Sequence, residues 1–179
     1  VLDVPYKVQP NNRTCQSSCL KMLSMYFDVP GKSENINDIY KSINEDSNRP
    51  NKTATNSWEN IVWWWNTKAI VNSSQVKMNN STVSDPIQTI EKIVSNIDSG
   101  RPLMMSVTND HAKAGHFVLV IGYKEYTPNQ SNPNFKIICH DPFGRFFPEL
   151  TSKIYGEYRH EGGYSKMDGS EFGPGAGVE

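Results

Sequence analysis

The chain has 179 residues and a mass of 20.2 kDa, long enough for one domain with a sizeable core and short for two. Hydrophobic residues make up 36% and aromatic residues 11%, with a net charge of −1, which excludes the poorly hydrophobic, highly charged composition of a disordered chain. The two signs of charge are interspersed, leaving no basic footprint for nucleic acid and no polybasic membrane patch, and the longest apolar run, 117–121, is far too short to span a bilayer, so a soluble globular chain is expected.

An extended start over 1–9 leads to a predicted helix over 15–27, where Cys19, Leu20, Leu23, Tyr26 and Phe27 recur at helical spacing and Gly31 follows as a stop. A second helix is expected from Ser33, with Ile36, Ile39, Tyr40 and Ile43 on one face. Ser57 caps a third, over 58–66. The fourth has both ends marked: Asp85 as N-cap, Pro86 in the first turn, a stripe of Ile87, Ile90, Ile93, Val94 and Ile97, then Gly100. From Arg101 the pattern changes to β-rich runs at 103–107, 116–123 and 135–140, bounded by Gly, Pro and Asn. Helices followed by strands imply an α+β fold with an antiparallel sheet. The domain is expected to occupy 1–160, and the Gly-rich stretch 161–179 reads as a tail or linker. Val1 follows no basic, apolar leader, so the expectation is that any leader has been removed or that the sequence is trimmed at its start.

Three cysteines, Cys15, Cys19 and Cys139, are too few and odd in number for a disulfide framework, which leaves at least one thiol to be explained. Cys15 stands in the first turn of the first helix behind the polar loop Pro10-Asn11-Asn12-Arg13-Thr14. Aligned peptide dipoles at a helix start favour an anion, and the thiolate is the nucleophilic form of cysteine. Cys19, one turn on, shares the face of Leu20 and Leu23 and reads as a core thiol. His116 opens the strand His-Phe-Val-Leu-Val-Ile-Gly-Tyr at its mouth, where a side chain can meet another element. Asp141 ends the next strand in Cys139-His140-Asp141-Pro142-Phe143-Gly144; if the two strands pair, its carboxylate can accept from Nδ1–H of His116. Taken singly, Cys15 also reads as a core thiol, His116 as a structural or solvated histidine, and Asp141 as an Asx turn. Together they supply nucleophile, base and orienter, with the Gln9 side-chain amide six residues before the thiol as an oxyanion donor.

The order Val4-Pro5-Tyr6-Lys7-Val8-Gln9, then Cys15 at a helix start, then Gly115-His116 opening a strand that ends Gly122-Tyr123, then His140-Asp141-Pro142-Phe143-Gly144, resembles the C39-like branch of the papain-fold cysteine peptidases. A helix ending Ser-Gly-Arg-Pro-Leu at 99–103 lies in the matching place. The resemblance covers about 4–144 and implies a papain-like fold, an N-terminal helical layer on an antiparallel sheet. It implies Cys15 as nucleophile, His116 as general base and acid, Asp141 as orienter, and Gln9 with the Cys15 backbone N–H as the oxyanion hole. One departure is clear: the family continues Cys-Gly-Pro, and Gln16-Ser17 stand there instead, side chains that would narrow the acyl site.

The function expected from this resemblance is hydrolysis of a peptide or amide bond through a thiol acyl-enzyme, with no metal and no cofactor. The C-terminal segments Gly162-Gly163-Tyr164 and Gly173-Pro174-Gly175-Ala176-Gly177 look similar to phage and bacterial C39-like wall-lytic proteins, pointing to cell-wall peptides and to delivery outside the producing cytoplasm. Alternatives are a double-glycine leader-processing or toxin peptidase and an inactive papain-fold binding module. Cys15, Cys19, Cys139 and His140 also form a candidate zinc set, though i, i+4 thiols lack a tight C-x-x-C knuckle. His111, His140 and His160 are rival histidines that read as surface or loop residues, and Trp63-Trp64-Trp65 reads as core or as a carbohydrate-stacking platform. Nothing in the sequence fixes an oligomeric state.

Overall fold

The computed structural model describes residues 1–11, 13–71, 76–108, 115–132 and 134–142, together with the backbone of 155–158. The tail at 161–179, His111 and His160 lie outside the described residues.

Four helices precede the sheet: α1 (Cys15–Tyr26), α2 (Ile36–Glu45), α3 (Trp58–Trp64) and α4 (Pro86–Asp98). The second helix starts later than expected because Pro30–Ser33 forms a 3-10 turn of its own; the cap is Asn35, whose side chain accepts from the Asp38 N–H. Ser57 caps α3 as expected, accepting from the Asn60 N–H, and the helix then widens into a π-helical turn over Trp65–Ala69. Strands β1 (Leu103–Thr108), β2 (Gly115–Lys124) and β3 (Lys136–His140) pair antiparallel in sequence order. A fourth strand, β4 (Tyr155–Tyr158), which periodicity did not mark, pairs with β3 in parallel, so the sheet is mixed at that edge.

The strand β2 explains the layering. Its apolar residues alternate: Phe117, Leu119 and Ile121 join the core built with α1, α2 and α3, whereas Val118 and Val120 join Ile137, Cys139 and the α4 residues Ile93 and Ile97. Both faces of the strand are therefore covered, which is why it reads as a continuous apolar run. The expected helical layer is α1–α3; α4 departs from it and packs on the opposite face. Only the second half of the α4 stripe is engaged, since Ile93, Val94 and Ile97 are buried while Ile87 is 50% exposed.

Close packing holds α1 in place. A Cβ at Gly31 would lie 2.9 Å from both Ala69 Cβ and Ser24 Oγ, so only glycine lets the turn after α1 come this near. The N-terminal segment is tied to the sheet at three points: Leu2 N–H donates to Ile121 O (2.7 Å), His140 Nε2–H donates to Val4 O (2.7 Å), and Gln9 N–H donates to Pro142 O (2.8 Å). Those ties carry the chain from the sheet to the loop before α1.

Candidate active site

The first turn of α1 is unlike an ordinary helix start. Its residues from Cys15 to Leu20 are all buried, including the polar Gln16, Ser17 and Ser18. Thr14, at the N-cap position, accepts no hydrogen bond from the helix; its Oγ1 donates instead to Asn11 O (3.1 Å). The first intrahelical bond is from Ser18 N–H to Thr14 O (2.9 Å), so the N–H groups of Cys15, Gln16 and Ser17 precede it and receive nothing from the cap side chain.

The antiparallel register sets Leu119 of β2 against His140 of β3, which brings the end of β3 alongside the beginning of β2. His116 and Asp141 meet there: the imidazole Nε2 and Asp141 Oδ1 are 2.8 Å apart, with the histidine side chain 13% exposed and the carboxylate fully buried. The contact runs through Nε2 where Nδ1 was expected. His116 also hydrogen-bonds Cys15. Burial opposes charge on the imidazole, but the Asp141 carboxylate, by charge and hydrogen bond, and then Cys15 outweigh it and raise the His116 pKa to about 10. An imidazole so placed is charged at neutral pH and has an acceptor on one side and a sulfur on the other. That arrangement can move a proton to and from a thiol.

The Peptidase_C39 like family model matches residues 1–167. The chain belongs to that family. No curated protein and no solved structure matches it. Membership in the Peptidase_C39 like family supports a cysteine peptidase, a hydrolase with a peptide substrate. The α+β architecture is compatible with the papain-like fold that this family implies, and no helix among the described residues is long and apolar enough to cross a membrane.

Gln9, the remaining residue of the expected C39-like set, is buried beside the same turn. Its Nε2 donates to Asn11 O (2.7 Å), which leaves that nitrogen one further N–H, and its buried Oε1 has no partner among the described residues. Through its own N–H on Pro142 O it is anchored to the Asp-Pro turn that carries Asp141. Tyr6 donates from its hydroxyl to Asp141 O (3.0 Å), bracing the same turn; the motif Val4-Pro5-Tyr6-Lys7-Val8-Gln9 contains it but assigned it no role.

The rival sequence readings are decided here, and one of them is corrected. His140 is a buried residue, not a surface or loop one: it hydrogen-bonds Val4 O and its ring lies 5.3 Å from that of Tyr6. The zinc set does not assemble, because Cys15 and Cys19 pack in the α1–α3 core and Cys139 in the α4 core, and no group of three or more His, Cys, Asp or Glu among the described residues is arranged to hold a metal ion. Cys19 and Cys139 are inert core thiols whose pKa burial pushes well up. Trp64 and Trp65 are core residues, Trp65 Nε1–H donating to Val76 O (2.7 Å), while Trp63 is covered by the Lys68 ammonium at 5.0 Å from its ring. Gln16 turns its side chain fully inward, toward Asn56, and so does not project from the turn as its size suggested.

Proposed function

We propose that the protein is a cysteine peptidase or amidase that cleaves a peptide bond through an acyl-thioester on Cys15. The observation that carries this reading is the 2.8 Å contact of His116 Nε2 with Asp141 Oδ1 on an imidazole that also hydrogen-bonds the Cys15 thiol. Asp141 holds the ring with Nδ1 toward sulfur and stabilises the imidazolium. The thiol proton passes to Nδ1 before the attack, which gives the charged imidazole beside a thiolate, and the thiolate then attacks the carbonyl carbon. The resulting oxyanion is held by the Cys15 N–H, which no cap side chain occupies, and by the second N–H of Gln9 Nε2. His116 then returns the proton to the departing amine, and the carbonyl reforms as a thioester. A water molecule, giving its proton to Nδ1, hydrolyses that thioester and restores the free thiol.

For the substrate, we infer a cell-wall peptide, on the similarity of the Gly-rich C-terminal segments to phage and bacterial wall-lytic proteins. The test is to incubate the protein with purified peptidoglycan and, separately, with a double-glycine leader peptide, and to analyse the products by mass spectrometry. Released wall peptides with an intact leader peptide are expected. Cleavage of the leader alone overturns the wall reading but keeps the peptidase; no cleavage of either, with no acyl adduct on Cys15, leaves a binding module. Gln9→Ala is expected to lower kcat by about a hundredfold with little change in KM, and a change confined to KM contradicts the oxyanion role.

A further inference from the structure

The thiol has a second polar neighbour besides His116. Cys15 Sγ lies 3.6 Å from Gln16 Oε1, the acceptor atom of a fully buried amide. That amide cannot turn over freely, because Gln16 Nε2 donates to Asn56 Oδ1. Asn56 is in turn fixed by Asn44 in both directions, receiving from Asn44 Nδ2 (2.8 Å) on Oδ1 and donating its backbone N–H to Asn44 Oδ1 (2.7 Å). Asn44 is oriented by its own Nδ2 bond to Tyr40 O (3.0 Å). Each donor and acceptor in this chain is set by the one before it, so a backbone carbonyl on α2 dictates that an oxygen, and not an N–H, faces the sulfur.

We propose that Gln16 is a positioning residue that favours the thiol form of Cys15 over the thiolate, with Asn56 and Asn44 locking its amide in the orientation that does so. The inference rests on the reading of Cys15 and His116 as a proton-exchanging pair. In its thiol form Cys15 donates to Gln16 Oε1. In its thiolate form the lone pairs of Oε1 face a sulfur anion, which is unfavourable, and the locked amide cannot present Nε2 instead. Gln16 therefore opposes the ionisation that His116 favours. Among the described residues, the titratable groups around the thiol include His116 from β2, Asp141 beyond it after β3, and Cys19 one turn on in α1, with Tyr6 against Cys19 and Asp141. Among these only His116 brings a positive charge, so Gln16 sets the balance against a single cationic partner.

The test is the pH midpoint of Cys15 alkylation by iodoacetamide, read by peptide mapping on the full chain. Gln16→Met keeps length and removes the acceptor; Asn56→Gly removes the lock at a position whose φ of 53° glycine adopts without strain. Both are expected to move the midpoint down by about half a pH unit, a roughly threefold larger reactive fraction on the acid side. Gln16→Glu, which puts a negative charge beside the sulfur, is expected to move it up. A midpoint unchanged or raised in Gln16→Met, or unchanged in Asn56→Gly, overturns the proposal, and either variant decides alone if the other does not fold. His116→Ala separates the underlying reading: a midpoint that does not rise there removes the thiol–imidazole pair, whatever the Gln16 variants show.

Discussion

The starts of α1 and α4 are built in opposite ways. At α4 the Asp85 carboxylate accepts from the N–H groups of Ile87 (2.7 Å) and Gln88 (3.3 Å), Pro86 removes a further donor, and the first turn is exposed. At α1 no cap side chain accepts from the helix, and the first turn is buried on every side. A capped start satisfies itself and contributes stability; an uncapped, buried start leaves N–H groups and a dipole free to act on a bound group. At α4 the capped turn leads directly into an amphipathic stripe, whereas at α1 the polar Gln16, Ser17 and Ser18 surround the thiol before the apolar Cys19, Leu20 and Leu23 begin.

The largest test of this contrast lies within α1. Cys15→Ala is expected to reduce turnover by at least about a thousandfold with an unchanged urea midpoint, because it removes the attacking atom from a side chain at the edge of the core. Cys19→Ala is expected to keep most activity and to cost about 1–2 kcal/mol in stability, as loss of a packed thiol does. Equal loss of activity in both would mean that the two sulfurs act together and that the first turn has no special role.

The pH response sharpens the same contrast, since the uncapped turn works only beside a charged imidazole. With its pKa raised from 6.5 to about 10 in the folded protein, His116 contributes stability that is fully present below about pH 6.5 and is lost as pH rises through the folded value. Turnover is expected to fall on an alkaline limb over the same range, as the proton needed by the leaving amine disappears. In Asp141→Asn the limb should move to lower pH, because the charge that holds the proton is gone. A limb at the ordinary histidine position in the wild-type protein would break the assignment of the charge to Asp141.

Much of the scaffold was legible because its signals are local. Asp85-Pro86, Ser57 and the period of Ile36, Ile39 and Ile43 each determine a structure within one or two turns, and the three antiparallel strands follow from short apolar runs between Gly, Pro and Asn. Ser33 misled because a hydroxyl before an apolar period marks a cap only if no tighter turn claims it, and Pro30 had already begun one. The side of the sheet that α4 occupies was readable in principle from the two-faced apolarity of β2, which requires cover on both sides. At the site, strand pairing was enough to foresee that Asp141 could approach His116. The ring nitrogen used, and the path from Tyr40 through Asn44 and Asn56 to Gln16, depend on rotamers and on a loop 40 residues from the helix it orients, and no spacing rule encodes them.

The smallest expected effect is at the other helix start. Asp85→Ala leaves the N–H groups of Ile87 and Gln88 to water and should cost about 1 kcal/mol, a fall in Tm of about 2–4 °C for a domain of this size. The cost is limited because the turn is exposed, so solvent replaces the lost acceptor, and because Ile87 contributes little to the core from its outward position. Turnover at a temperature well below Tm should be unchanged, since α4 packs on the face of the sheet away from α1 and shares its core with Val118 and Val120 and not with Cys15. Asp85→Asn, which keeps an acceptor oxygen, should recover most of the stability. A loss of turnover in Asp85→Ala, with the Tm shift no larger than this, would show that strain at the α4 start reaches His116 through β2, and the two faces of the sheet would then have to be treated as one mechanical unit.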